Sequence, residues 1–172
     1  VLNYEKKYRG VCQITFDKHQ KAGDILLDYS GEILGLEVNG IVIPETWWAT
    51  NGINWNGKIL RLDSSFTQAG RNSVNINFRS RYSTDNNGLT AFDYHGEDQN
   101  ETPERYIFGW NEFNGCQKMF PNFDQPDIRG TFKLFLAGPS TWQCRSNGFR
   151  KENFHYVDVS NCSSKFLNAA HD

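Results

Sequence analysis

Residues 74–79, Val-Asn-Ile-Asn-Phe-Arg, decide the fold: an apolar side chain stands at every second position with a polar one between. A period of two places Val74, Ile76 and Phe78 on one face of an extended strand, whereas a helical period would scatter them around an axis. All three are β-branched or aromatic, the types that suit a pleated, half-buried surface. Working outward, Tyr8, Cys12, Ile14 and Phe16 alternate with Arg9, Gln13 and Thr15; Tyr106, Phe108 and Trp110 form a third set; Phe132, Leu134 and Leu136 form a fourth. Shorter apolar segments at 24–29, 32–38, 58–62, 89–94 and 154–159 recur about every ten residues, the rhythm of antiparallel sheets. Asn-Gly pairs at 39, 51, 56, 87, 114 and 147 supply the positive φ values of tight hairpin turns.

These signals predict an all-β fold, a mostly antiparallel β saddle or sandwich with hairpin turns, at least eight strands and little helix. Helix is expected only as a short turn within 112–119 and in the tail at 163–170, and the polar stretch 94–105 reads as a long exposed loop. The expected core comprises Ile14, Phe16, Val74, Ile76, Phe78, Phe108, Phe132, Leu134 and Leu136. A length of 172 residues suits one domain. We divide it into a β domain over 1–148 and, at 149–172, its last strand and a less regular tail.

Charge nearly cancels, with 18 Lys and Arg against 20 Asp and Glu, so the basic excess that draws proteins to nucleic acid or anionic lipid is missing. No apolar run approaches membrane-helix length, and no membrane span is expected. The chain begins Val1-Leu-Asn-Tyr-Glu5, neither an initiator Met nor a signal peptide, which reads as a removed leader or a segment of something longer. Cys12, Cys116, Cys144 and Cys162 lie far apart, which favours buried thiols over a zinc knuckle or a disulfide scaffold. Glycosylation-type triplets at Asn100 and Asn161 leave the compartment open.

Local catalytic devices are missing from the sequence. His19, His95, His155 and His171 have no H-E-x-x-H spacing, which would place two imidazoles one helical turn apart on one ion. There is no G-x-S-x-G elbow, P-loop or G-x-G-x-x-G fingerprint, and Cys116 would need a distant His to act as a nucleophile. Trp47, Trp48, Trp55, Trp110 and Trp142 allow two readings: core filling, or a surface platform that stacks on sugar rings.

The stretch 112–142 carries a resemblance. It contains Phe120-Pro-Asn-Phe123-Asp124-Gln125-Pro126-Asp-Ile128, then Phe132, Pro139 and Trp142, followed by Ser146-Asn147. This is similar to the end of the N-terminal domain in the zinc aminopeptidases that include aminopeptidase N and the leukotriene hydrolases. Tyr8-Arg-Gly10, Asp24-Ile-Leu-Leu-Asp28, Val38-Asn-Gly40 and Ala69-Gly-Arg-Asn-Ser-Val74 follow the family in register, so the likeness covers nearly the whole chain. Asn122 replaces the family's Cys, Gln117 its basic residue, and Phe113 the Pro after its Glu.

The resemblance implies a β saddle packed against a catalytic domain, with Glu112 anchoring the free α-amine of a peptide substrate. It also implies that the family motif, Phe120, Pro121, Phe123, Asp124, Gln125 and Pro126, faces that domain, with an apolar partner surface around 112–126. The family's zinc helix lies downstream, so no metal ligand and no cofactor are expected in this chain, and zinc only with a catalytic domain. Two functions remain: a non-catalytic piece of a zinc aminopeptidase, or a structural subunit whose partners are the proteins of a larger assembly. A carbohydrate-binding β domain is the alternative.

Overall fold

A computed structural model of the chain describes residues 5–48, 52–96, 103–112, 114–139 and 141–145. Nine strands form there: β1 (Lys7–Lys18), β2 (Ile25–Asp28), β3 (Glu32–Val38), β4 (Ile41–Ile43), β5 (Ile53–Trp55), β6 (Ile59–Leu62), β7 (Gly70–Arg81), β8 (Gly88–Tyr94) and β9 (Glu104–Trp110). One helical turn, α1 (Cys116–Met119), follows, and two 3₁₀ turns lie at Glu45–Trp47 and Ser64–Phe66. The described residues are all-β and antiparallel, in sheets ordered β1-β7-β3-β4, β2-β6-β5 and β8-β9.

The alternating stretch lies in β7, paired along its whole length with β1 and on its other side with β3. Val74 and Ile76 are fully buried and Phe78 nearly so. Leu27, Leu60 and Leu62 of the second sheet are buried with them in one cluster that also takes in Tyr29, Leu36 and Val38. In β3 the inward residues Ile33, Leu36 and Val38 break the period of two, because three positions separate the first pair. A bulge repairs this: Ile33 faces Phe78 and Gly35 faces Asn77, so the extra residue, Leu34, is turned out to solvent. Gly10 lies opposite Phe78, and a β-carbon there would run into the Phe78 ring.

Turn chemistry follows the Asn-Gly pairs where a turn is needed. Asn39 and Gly40 both have positive φ between β3 and β4, as a type I′ hairpin requires. Asn39 also holds the buried Asn72, whose Oδ1 accepts from Asn39 Nδ2 at 3.0 Å and from the Gln68 N–H at 2.9 Å. Asn72 Nδ2 donates to the carbonyls of Gln68 and Gly70, both at 2.8 Å, so this buried amide is fully satisfied.

Several sequence expectations change. Ile14 and Phe16 are half-buried and pack on the core cluster, but Phe108 is exposed. The inner face of the β8-β9 hairpin is taken by Leu89, Ala91 and Ile107, and the opposite face is left to the larger aromatics. Residues 132–136 form no strand: Phe132 and Leu134 are exposed, and Leu136 is half-buried. The stretch 94–105 is shorter as a loop than expected, because Tyr94 and Glu104 are the last cross-strand pair of that hairpin. β4 and β5, three residues each, carry too little alternation to be read in sequence. The segments 149–172, 154–159 and 163–170 lie outside the described residues.

Ile76→Ala should cost about 2 to 5 kcal/mol, since it opens a cavity at the centre of the cluster. Phe135→Ala, at a side chain that is 87% exposed, should stay within about 0.5 kcal/mol. Urea unfolding of the two variants, read at unchanged denaturant dependence, measures the contrast.

Candidate functional site

The motif block begins at α1 and is drawn across both main sheets. Tyr8, on the inner face of β1, donates through its hydroxyl to the Met119 carbonyl at 2.8 Å, and Ser80, its cross-strand partner, donates to the same oxygen at 3.3 Å. Cys12 Sγ lies 3.2 Å from the Pro121 carbonyl, and Phe16 meets the Phe123 ring edge-on at 5.5 Å. On the other sheet, the Asp28 N–H donates to the Asn122 carbonyl at 2.7 Å and the Asn122 N–H returns to Asp28 at 3.1 Å. Ser30 adds its N–H to the Gln117 carbonyl at 2.9 Å.

Asp124 closes the block on itself. Its Oδ2 accepts from the Gln117 N–H at 3.0 Å, filling one of the donors left open at the start of a helical turn, while its own N–H donates to Asp28 Oδ2 at 3.1 Å. Pro121 is fully buried. The chemistry of Phe120, Pro121, Phe123 and Asp124 is therefore clamping: they join one sheet to the other. Gln125 and Pro126 stand in solvent just beyond. The receiving side chains Tyr8, Cys12, Asp28 and Ser80 were missed in sequence; polar Tyr8 and Ser80 at inward positions of alternating strands were the available signal.

Glu112 lies two residues after β9, exposed, with no hydrogen bond or ion pair to a described residue. The structure does not bring it to the clamp, and nothing about its geometry fixes a ligand. Cys12, Cys116 and Cys144 are free thiols. Burial pushes the Cys12 thiol up to about 11, and burial, followed by the nearby Asp124 charge, raises that of Cys116. Both stay protonated at neutral pH, which makes Cys116 a poor nucleophile. No group of three His, Cys, Asp or Glu among the described residues is placed to hold a metal ion, so the family's zinc has no ligand set there. No helix of the described residues is long and apolar enough to cross a membrane.

Beside the clamp is an open cleft of about 370 Å³ lined by Glu32, Arg79, Ser80, Asp85 and Lys118. Its charges are matched within the chain: Glu32 bonds the Arg79 guanidinium and Lys7 Nζ, the latter at 2.8 Å, and Lys118 Nζ bonds Asp85 at 2.8 Å. Arg79, with Lys7 second, holds the Glu32 carboxyl down to about 2. Lys118 leads the groups that keep Asp85 well below the usual carboxylate range.

With that geometry in hand, the comparisons with known proteins are specific. Residues 1–166 match the family described as the peptidase M1 N-terminal domain. The chain belongs to that family. It is also similar to aminopeptidase N of Streptomyces lividans, 24% identical over 149 residues, which is 81% of this chain and 15% of that enzyme. This peptidase M1 N-terminal domain thus spans a small part of the curated relative it matches.

The expectation of an apolar partner surface at 112–126 needs correction, because the apolar residues of that stretch are spent on the clamp. The exposed aromatics lie elsewhere. Phe92, Tyr94, Tyr106, Phe108 and Trp110 share the outer face of the β8-β9 hairpin, with Phe92 and Tyr106 stacked at 5.3 Å and 15°. Ile128, Phe132, Leu134 and Phe135 form a second exposed apolar run. Among the tryptophans, Trp55 stacks on buried Tyr29 at 5.9 Å and Trp48 packs on the core, whereas Trp110 is exposed.

Tyr8→Phe removes one donor from the clamp and should cost about 1 kcal/mol in urea unfolding. Glu32 gives a pH signature. Its folded carboxyl titrates below the ordinary value of 4.5, so its stabilisation is complete above that pH and is lost as pH falls toward about 2. The parent should therefore be more stable than Glu32→Gln at pH 6, with the gap shrinking between pH 4.5 and 2.

Proposed function

We propose that this chain is a non-catalytic N-terminal module of an aminopeptidase-type protein, and that it acts by packing against a catalytic domain or another subunit of that assembly. The observation that carries this reading is the family match over nearly the whole chain, together with a motif block whose conserved chemistry is used for holding the module's own sheets. Function resides in sites rather than folds. What such a module offers a partner is a rigid, preformed surface. The aromatic face of β8-β9 supports this role, since a monomer rarely leaves several large rings side by side in water. Glu112 follows directly on that hairpin and is the carboxylate we assign to the α-amine of a peptide bound at the junction.

The sugar-binding reading keeps one observation in its favour, the exposed Trp110 and the stacked Phe92-Tyr106 pair. A glycan-binding screen of the purified chain separates the two. Saturable binding lost in Trp110→Ala would favour sugars, and no binding is expected.

Two further outcomes are expected. The 172-residue chain should carry no stoichiometric zinc by metal analysis and release no amino acid from peptide or amide substrates; one tightly held zinc with chelator-sensitive turnover overturns the reading. In a full-length enzyme containing the module, Glu112→Gln should weaken free-amine peptides by about ten- to a hundredfold, the loss of one charge-assisted hydrogen bond of about 1.5 to 3 kcal/mol, with stability unchanged. Unchanged peptide binding in an active enzyme would remove the anchor role.

A further inference from the structure

Two unfinished edges lie side by side in this fold. β1 is twelve residues long, stands at the margin of its sheet and pairs only with β7. Alternate N–H and C=O groups of an edge strand point away from its one partner, and among the described residues no strand meets them. The inner face of β1 is unfinished as well. Val74 and Ile76 of β7 are fully buried, while Ile14 and Cys12, directly opposite them, are only half-buried.

The second unfinished element is 129–138, in which no backbone group is hydrogen-bonded to a described residue. Within it the sequence Thr-Phe-Lys-Leu-Phe-Leu at 131–136 has the period and composition of a strand. Phe132 is nevertheless 65% exposed and Leu134 45%.

The path of the chain brings these elements together. Tyr8 meets Met119, Cys12 meets Pro121 and Phe16 meets Phe123, so 119–123 runs in the direction of β1 along its inner side. Turns from Gln125 N–H to the Phe123 carbonyl at 2.8 Å and from Ile128 N–H to the Gln125 carbonyl at 3.1 Å follow. The ring of Phe132 then rests on that of Phe120 at 5.5 Å, which sends 131–136 back antiparallel to β1.

We propose that 131–136 closes on the open edge of β1 as a fifth, antiparallel strand of that sheet. Phe132, Leu134 and Leu136 then turn inward beside Ile14 and Cys12, and Lys133 and Phe135 stay outside. Closure satisfies an exposed ladder and covers apolar side chains in one step, which is how edges are ordinarily protected. The tether is short and already reversed, so the chain's own segment reaches the edge before a strand from another molecule does.

The test is amide hydrogen exchange by NMR on the full chain at two protein concentrations about tenfold apart. The β1 amides that do not bond β7 should be protected in the parent at both concentrations. Leu134→Pro, which removes a ladder donor, should speed their exchange about tenfold or more while the amides of Val74 and Ile76 stay protected. Unprotected outward amides in the parent, or protection unchanged in Leu134→Pro, overturns the proposal. Protection lost on dilution also overturns it, since the strand would then come from a second copy. If Leu134→Pro fails to fold, Phe132→Ser and Phe135→Ser decide: faster exchange in the first and none in the second is expected, and equal effects refute the inward register.

Discussion

Burial of Val74, Ile76 and Phe78 along one face of β7 is the interaction on which the other elements depend. β7 is the interior strand with the longest pairing on both sides: β1 matches it over twelve residues and β3 is held in step with it by a bulge. A one-residue slip would turn the whole apolar row to solvent, so the register of the sheet is fixed by the same contacts that stabilise it. The second sheet is placed because Leu27, Leu60 and Leu62 have no other apolar surface of comparable extent to meet.

The clamp at 116–124 is the second constraint, and it is polar where the first is apolar. Tyr8, Ser80, Asp28 and Asp124 satisfy backbone groups of an irregular segment that would otherwise be left partly buried and unpaired. Burial raises the Tyr8 hydroxyl above its ordinary pKa, which keeps it a donor throughout the physiological range. A family motif can therefore be retained for architecture. Its residues F-P-x-F-D hold one sheet to the other, and none of them has been given a ligand by the geometry.

For function, the consequence is a division of labour. The chain belongs to the peptidase M1 N-terminal domain family, and its described residues offer a stable β frame with an aromatic face on β8-β9 and an exposed carboxylate just beyond it. Charges near the clamp are matched internally, Glu32 with Lys7 and Arg79, Asp85 with Lys118, and so serve the frame. Surface ion pairs of this kind contribute little each, but they remove stray charge from the cleft.

The sequence by itself determined the fold class, most of the strands and the family. Period-two alternation and Asn-Gly turns are local signals, and local backbone geometry obeys them: β1, β2, β3, β6, β7, β8 and β9 lie where the alternating or short apolar segments were read. What only the tertiary structure decided is which apolar residues are inside. Phe108 and Phe132 carry the same alternation as Phe78, yet Phe78 is buried and the other two are not. Periodicity defines two faces of a strand without saying which one finds a neighbour, and that depends on sheets brought together from distant parts of the chain. The same limit hid the clamp, since Tyr8 and Met119 stand 111 positions apart in sequence and 2.8 Å apart in space.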